Sequence, residues 1–276
     1  MADTLLVTGA SGFLGATLCA RAAAAGWAVA GTHHRHAPAG VDSTALDVRD
    51  ADAVDALVQR LRPAAVVHTA YVQDVDGAWA TNVDGAAHVA AAAARTGARL
   101  VHLSSDVVFA GDGDRPLVED DHPAPVSAYG ASKAAGEEAV SRAHPGASIV
   151  RTSLIYGGPG HAPSKHELLA VAAARGERDV VFFSDELRNP VQVTDLAGAL
   201  LELARLDVAG PLHVAGAETV DRHAFACLCA RAAGVPTAGL RHGAAPPGRP
   251  RNAALDVSRA QALLRTRLRG VHEVLA

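Results

Sequence analysis

Cysteine is scarce: Cys19, Cys227 and Cys229 are the only ones in 276 residues. An odd, sparse set argues against a disulfide framework and for a reducing compartment, so a cytoplasmic protein is expected. Cys227 and Cys229 stand two apart on an expected helix and face different ways, which argues against a metal pair. A basic stripe is also missing. The formal charge of -4 and a pI near 6.4 make nucleic acid an unexpected partner. Met1-Ala2-Asp3 has no basic n-region and no long apolar h-region behind it, so no signal peptide is expected. The alanine-rich stretches carry Arg, Glu, Asp or Gly in each window, so none reads as a membrane span. No internal repeat is present. What remains is a chain nearly half hydrophobic, 49%, enough for one large domain or for a domain with a smaller appendage.

Thr4 to Thr8 is a short apolar run of the buried parallel-strand type. Gly9-Ala10-Ser11-Gly12-Phe13-Leu14-Gly15 follows at once, then an expected helix from Ala16 to Ala25. Strand, glycine turn and helix are the context of a dinucleotide fingerprint. The glycines permit a tight turn and close approach to a pyrophosphate, and the helix start offers free N–H groups. The spacing is Gly-x-x-Gly-x-x-Gly. The second expected strand, Trp27 to Gly31, leads into Thr32-His33-His34-Arg35-His36. An NAD site usually has a carboxylate here for the ribose 2′-OH. None is present, and Arg35 with His33 or His34 suits the 2′-phosphate of NADP. A His-rich metal tract and a plain polar loop are the rival readings, and no metal ligand is assigned.

Asp47-Val48 closes a third strand and would face an adenine edge. An amphipathic helix from Asp50 to Arg62 ends before Pro63, and Ala64 to His68 is the fourth strand. Thr69, Ala70 and Tyr71 sit at its C-terminal end, where ligands gather in open α/β sheets. A long helix from Trp79 to Thr96 contains Asn82. Arg99 to Leu103 is the fifth strand, ending in Ser104-Ser105-Asp106. After a loop rich in Gly, Asp and Pro, the pattern predicts a helix over 127–143 and a buried strand over 149–152. Alternating short strands and helices predict a doubly wound, Rossmann-type parallel sheet. Beyond Tyr156 the pieces shorten. The expected division is a cofactor domain over 1–155 and a small substrate-binding lobe over 156–276, with some segments returning to the sheet.

Tyr129-Gly130-Ala131-Ser132-Lys133 places Tyr and Lys on one helix face. Free tyrosine titrates near pH 10, about 3 units from neutrality. A lysine ammonium beside it favours the phenolate, which makes the pair an acid/base device for a carbonyl and its alcohol.

Taken with the glycine turn, Asn82, Ser105, Tyr129 and Lys133, the chain resembles an extended short-chain dehydrogenase/reductase. Four stretches resemble the dTDP-4-dehydrorhamnose reductase family within it. They are Ser104 to Gly111, Glu119 through Lys133 to Glu137, Arg151 to Gly157, and Arg249 to Asp256. Val107 stands where that family has Tyr, and Leu154 where it often has Trp. Ala16 and Thr17 stand where some members carry a Glu used in a magnesium-bridged dimer.

The resemblance implies NADPH delivering hydride to a keto carbon, with NADH a less favoured donor. Tyr129 would give the proton, and Lys133 would lower the Tyr129 pKa and hold the nicotinamide ribose. Ser105 would bond the carbonyl oxygen, and Asn82 would keep a water in the proton path. For substrate, Asp106, Val107, Leu154 and Tyr156 would line a sugar pocket. Arg188, Arg249 and Arg251 suit a nucleotide diphosphate, and Asn189 and Asn252 suit sugar or base. The implied substrate is a dTDP-linked 4-keto-6-deoxy sugar. Another carbonyl reductase, an epimerase or a dehydratase on the same scaffold is the first alternative. A cofactor-binding regulatory subunit, as in methionine adenosyltransferase, is the second. Relatives are commonly homodimers, and the sequence carries no dimer-specific signal.

Overall fold

The computed structural model describes residues 2–38, 40–73 and 75–276. In chain order the elements are β1 (Thr4–Thr8), α1 (Phe13–Ala24), β2 (Ala28–His33), β3 (Ser43–Ala45), α2 (Ala51–Leu61), β4 (Ala65–His68) and α3 (Val75–Trp79). A π-helical turn (Ala80–Gly85) then joins α3 to α4 (Ala86–Thr96), followed by β5 (Arg99–Ser105), α5 (Ala128–Ala143), β6 (Ser148–Thr152), β7 (Ile155–Tyr156) and α6 (Lys165–Ala174). The rest comprises β8 (Val181–Phe183), β9 (Leu187–Arg188), β10 (Val191–Gln192), α7 (Val193–Leu203), β11 (Gly210–His213), β12 (Val220–Asp221), α8 (Arg222–Ala232), β13 (Arg241–Gly243), α9 (Ser258–Leu263) and α10 (Val271–Leu275).

Seven strands form one parallel sheet in the order β11-β6-β5-β4-β1-β2-β3. The central strands are buried on both faces, as their unbroken apolar runs require. One face is covered by α1 and α7. Leu14, Leu18 and Ala22 meet Leu196, Leu200 and Leu203 there. The other face is covered by α2, α4 and α5, through Leu57, Val58, Val89, Ala93 and Val140. This is the expected doubly wound fold. Alanine on α4 lets that helix lie close to the sheet, since small side chains shorten the approach.

A third cluster lies away from the sheet, where Tyr156, Phe182, Phe225, Leu228 and Leu275 pack together. It joins α6, α8 and α10 with the paired strands β8 and β13. Within the chain region after 156, α7 and β11 belong to the main sheet layer. The lobe is stapled at its turns by side-chain caps. Ser164 and Glu167 cap α6 reciprocally, and Glu167 also accepts from the N–H groups of Gly157 and Gly158 at 2.8 and 2.9 Å.

The third strand stops at Ala45, so Asp47 and Val48 follow it instead of closing it. The helix expected from Trp79 to Thr96 is split by the π-helical turn around Asn82. The two-residue strands β7, β9, β10 and β12 carry too little periodicity to be read from sequence.

Candidate active site

Strand order reverses between β1 and β4, and the crevice above that point holds the glycine turn. Gly9 has φ +73°, and a Cβ there would lie 2.9 Å from the Ala70 nitrogen. A Cβ at Gly15 would lie 2.2 Å from the Gly9 oxygen, so α1 can approach β1 only with glycine at that position. Gly12 caps α1 with no side-chain contact and no acid in the first turn. The first N–H groups of α1 therefore stay free for an anion. Gly9, Gly12, Phe13, Leu14 and Gly15 all border one cavity of about 510 Å³. Ser11 is exposed at the tip of the turn, and Ala70 lies beneath Gly9.

At the end of β2, His33 shares a hydrogen bond with Ser43 at 3.0 Å, while His34 and Arg35 are exposed. Asp47 is partly exposed and paired with a neighbour. Arg49 donates to both its oxygens and holds its carboxyl down at about 2, and Val48 is buried against Gly85.

Tyr129 lies in the first turn of α5, whose cap is Ser127 accepting from Gly130 N–H at 3.1 Å. Ser105 ends β5, and Lys133 comes one helical turn after Tyr129. All three border the same cavity, with Thr69, Tyr71, Asp106, Val107 and Leu154. Lys133 is buried and donates from Nζ to the Leu103 carbonyl at 2.7 Å. Burial pushes its pKa down to about 8, against the Glu137 carboxylate. Burial drives the Tyr129 pKa up, and Tyr71 and Asp106 add to the rise. The Lys133 ammonium needs an acceptor inside the protein, and the β5 carbonyl provides it.

Asn82 also departs from its expected role. Its Oδ1 accepts from Val72 N–H at 3.0 Å, and its Nδ2 donates to the Val72 carbonyl at 2.8 Å and to Ser132 Oγ at 3.0 Å. The carboxamide clamps the segment after β4 onto α5, and that work occupies it. Asp106 is buried, with a carboxyl raised by burial against the pull of Arg188, Ser153 and Ser105. Ser153 donates to it at 2.6 Å and Ser105 at 3.1 Å.

The expected substrate residues divide. Arg188 borders the cavity, but its donors are spent on Glu186 at 2.9 Å, on the Pro250 carbonyl at 2.9 Å and on the Leu187 carbonyl at 2.7 Å. Arg249 pairs with Glu186 at 2.9 Å and remains partly exposed. Tyr156 is not in the cavity: it is fully buried in the lobe core, edge-on to Phe225. Asn252 bonds the Gly113 carbonyl at 3.0 Å and the Ala254 N–H at 3.2 Å, which makes it a loop fastener. Asn189 likewise bonds the Gly216 carbonyl and Leu255 N–H. Arg251 is exposed beside Asp185.

Sequence reasoning missed Gln73, Lys165, His166 and Arg222, all of which border the cavity. Arg222 opens α8 and is surrounded by Glu186, Arg188, Arg249 and Asp106, yet its guanidinium joins no ion pair among the described residues. One signal for Lys165 was available: Lys133 and Lys165 are the only lysines in an arginine-rich chain.

Comparison with known proteins agrees with this geometry. The family model described as RmlD substrate binding domain matches residues 3–276. A dTDP-4-dehydrorhamnose reductase of Mycobacterium tuberculosis is 38% identical over 232 residues, covering 80% of this chain and 72% of the relative. The methionine adenosyltransferase 2 subunit beta of Pongo abelii is 33% identical, covering 94% of this chain and 82% of the relative. Among solved structures, a dTDP-4-dehydrorhamnose reductase from Bacillus anthracis in complex with NADP aligns with TM-score 0.84 and 26% identity. It covers 100% of this chain and 96% of its own. The chain belongs to the RmlD substrate-binding-domain family, within the extended short-chain dehydrogenases/reductases.

Proposed function

We propose that this protein is an NADPH-dependent reductase of the keto group of a nucleotide-linked sugar, a dTDP-4-keto-6-deoxy sugar above all. One observation carries the reading. Among the described residues one cavity is bordered by the glycine turn, by Ser105, Tyr129 and Lys133, and by Arg222 and Arg249. Anion cradle, proton donor and candidate second anion site thus share one cavity, as a dinucleotide and a diphosphate-linked carbonyl need.

The glycine cradle, the uncapped start of α1 and exposed Arg35 fit NADPH. When bound, it supplies the hydride. Residues over 1–155 hold it, and residues over 156–276 mainly hold the substrate. Lys133 would turn to the ribose hydroxyls, and the Ser105 hydroxyl would swing from Asp106 to donate a hydrogen bond to the carbonyl oxygen. Tyr129 Oη gives its proton to that oxygen as the alcohol forms. A positioned acid contributes about 10² to 10⁴ in rate. Val107 and Leu154 offer apolar walls to the sugar, while Arg222 and Arg249 take the diphosphate.

No helix among the described residues is long and apolar enough to cross a membrane. The reading places the protein in the cytoplasm, where NADPH and nucleotide sugars are available, alone or as a homodimer. The 94% span of likeness to the methionine adenosyltransferase subunit favours a second reading, a cofactor-binding regulatory subunit.

The test is NADPH oxidation by the purified protein with dTDP-4-keto-6-deoxy sugars. Turnover should fall at least about 100-fold in Tyr129→Phe with NADPH affinity unchanged. Undiminished turnover in that variant removes the assigned role. Absence of turnover in the wild type, with NADPH held tightly, moves the weight to the regulatory reading.

A further inference from the structure

The cavity has a mouth, and its two sides belong to different parts of the fold. The exposed residues among those that border it are Gly12, Tyr71 and Gln73 on the side of the sheet, and Lys165, Gly248 and Arg249 on the side of the lobe. Among the described residues one hydrogen bond joins the two sides. Lys165 Nζ, at the start of α6, donates to Gln73 Oε1 at 2.7 Å. The backbone behind each side chain is fixed. The Asn82 carboxamide holds both backbone groups of Val72, next to Gln73. The Ser164–Glu167 capping box holds the turn that begins with Lys165, and Glu167 ties that turn to Gly157 and Gly158. Deeper in, Arg188 of β9 stands 3.6 Å from Asp106 and keeps the lobe seated against the end of β5.

We propose that the Gln73–Lys165 bond is a gate across the cavity mouth, opened by rotation of the two side chains without movement of the lobe. Both side chains are long and exposed, so each turns quickly once the bond breaks. Because the backbone on each side is already held, closing the mouth orders two side chains and nothing more. A hydrogen bond in contact with water stabilises only modestly, so the closed form outnumbers the open one by roughly twofold to tenfold. Entry and exit are slowed in equal proportion, because the gate lies across the path and not on the molecule inside. The gate goes beyond the reductase reading, since it acts on whatever passes the mouth. For a reductase it adds one service: a closed mouth keeps bulk water from the reacting centre.

The test places a thiol inside the cavity, as Ser105→Cys, with Leu154→Cys as a second reporter. The reagent is the neutral disulfide dithiodipyridine, so the Lys165 charge does not draw it in. The rate of the parent protein, whose partly buried Cys227 also reacts, is subtracted. Lys165→Met and Gln73→Leu should each speed the labelling roughly twofold to tenfold. The two together should do no more than either alone, since both break one bond. Gln73→Glu turns the bond into an ion pair and should slow the labelling at low salt, with the difference gone near about 1 M salt. In stopped-flow binding of NADPH, Lys165→Met should raise the association and dissociation rates together and leave Kd nearly unchanged. Unmoved labelling in either single variant overturns the proposal. So does a double variant whose gain is the product of the two single gains, since the residues would then act separately. A raised Kd for NADPH with unmoved labelling also overturns it and makes Lys165 a cofactor contact. The labelling needs no ligand, so a failed sugar assay counts against the reductase reading and leaves this test standing.

Discussion

Arg151→Met should cost about 3–5 kcal/mol of stability, the usual penalty for leaving one partner of a buried ion pair alone. Arg151 on β6 donates to Glu137 on α5 from Nη2 at 2.8 Å and from Nε at 3.1 Å. The two side chains are 3% and 6% exposed, so solvent does little to screen the pair. Ser104 Oγ also donates to Glu137, at 2.5 Å, and Arg151 reaches the Glu119 carbonyl and lies over the Phe109 ring. Methionine keeps much of the apolar stem, so the cavity contribution is small and the stranded Glu137 carboxylate dominates. At about 2–4 °C per kcal/mol for a chain near this size, the melting point should fall by roughly 6–20 °C. Urea unfolding followed by Trp27 and Trp79 fluorescence is the measurement, with the midpoint shifting at constant slope. The double variant Arg151→Met with Glu137→Leu should recover much of the loss, because an apolar pair can replace a buried ion pair. A single-variant loss below about 1 kcal/mol, or a double-variant loss equal to the sum of the two singles, would refute the reasoning.

Acid should unfold the protein through its buried histidines. His68 is held near pKa 3 by burial and His102 well below its usual range, so each folded histidine binds fewer protons than the unfolded one. Their contribution is present above about pH 6.5 and is lost as pH falls toward 3, at about 1.4 kcal/mol per unit for each. His102→Phe should flatten that decline by one histidine's share in pH-dependent urea melts; an unchanged slope would count against it. Arg35→Ala should raise the Kd for NADPH far more than that for NADH by fluorescence titration, and equal losses would remove the 2′-phosphate assignment. Asn82→Ala strands the Val72 amide groups and should cost about 1–3 kcal/mol in equilibrium unfolding. A change in turnover with stability intact would restore a direct role in proton movement.

Much of the site was readable one stretch at a time. Gly9, Gly12 and Gly15 announced a tight strand-to-helix turn because strand, glycine spacing and helix are adjacent in the chain. Tyr129 and Lys133 announced themselves because four residues on a helix share a face. Other readings failed where a residue's fate depended on partners far away. Tyr156 follows directly on the Arg151–Ile155 stretch, yet its ring turns into the lobe core. Arg188 reads as an anion-binding arginine, yet Glu186 and three carbonyls consume it. Asn82 reads as a water holder, yet Val72 and Ser132 claim its carboxamide.

The sequence by itself determined the α/β class, the glycine turn and the Tyr129 and Lys133 pair, since each is encoded by residues within a few positions of one another. Only the tertiary structure decided which polar groups are spent on each other and which stay free to act. Lys133 turns to β5, Arg222 joins no ion pair among the described residues, and Lys165 reaches Gln73 across 92 positions of chain. The physical reason is that a buried charge or amide must find a partner wherever the fold supplies one. Local sequence does not record who that partner is.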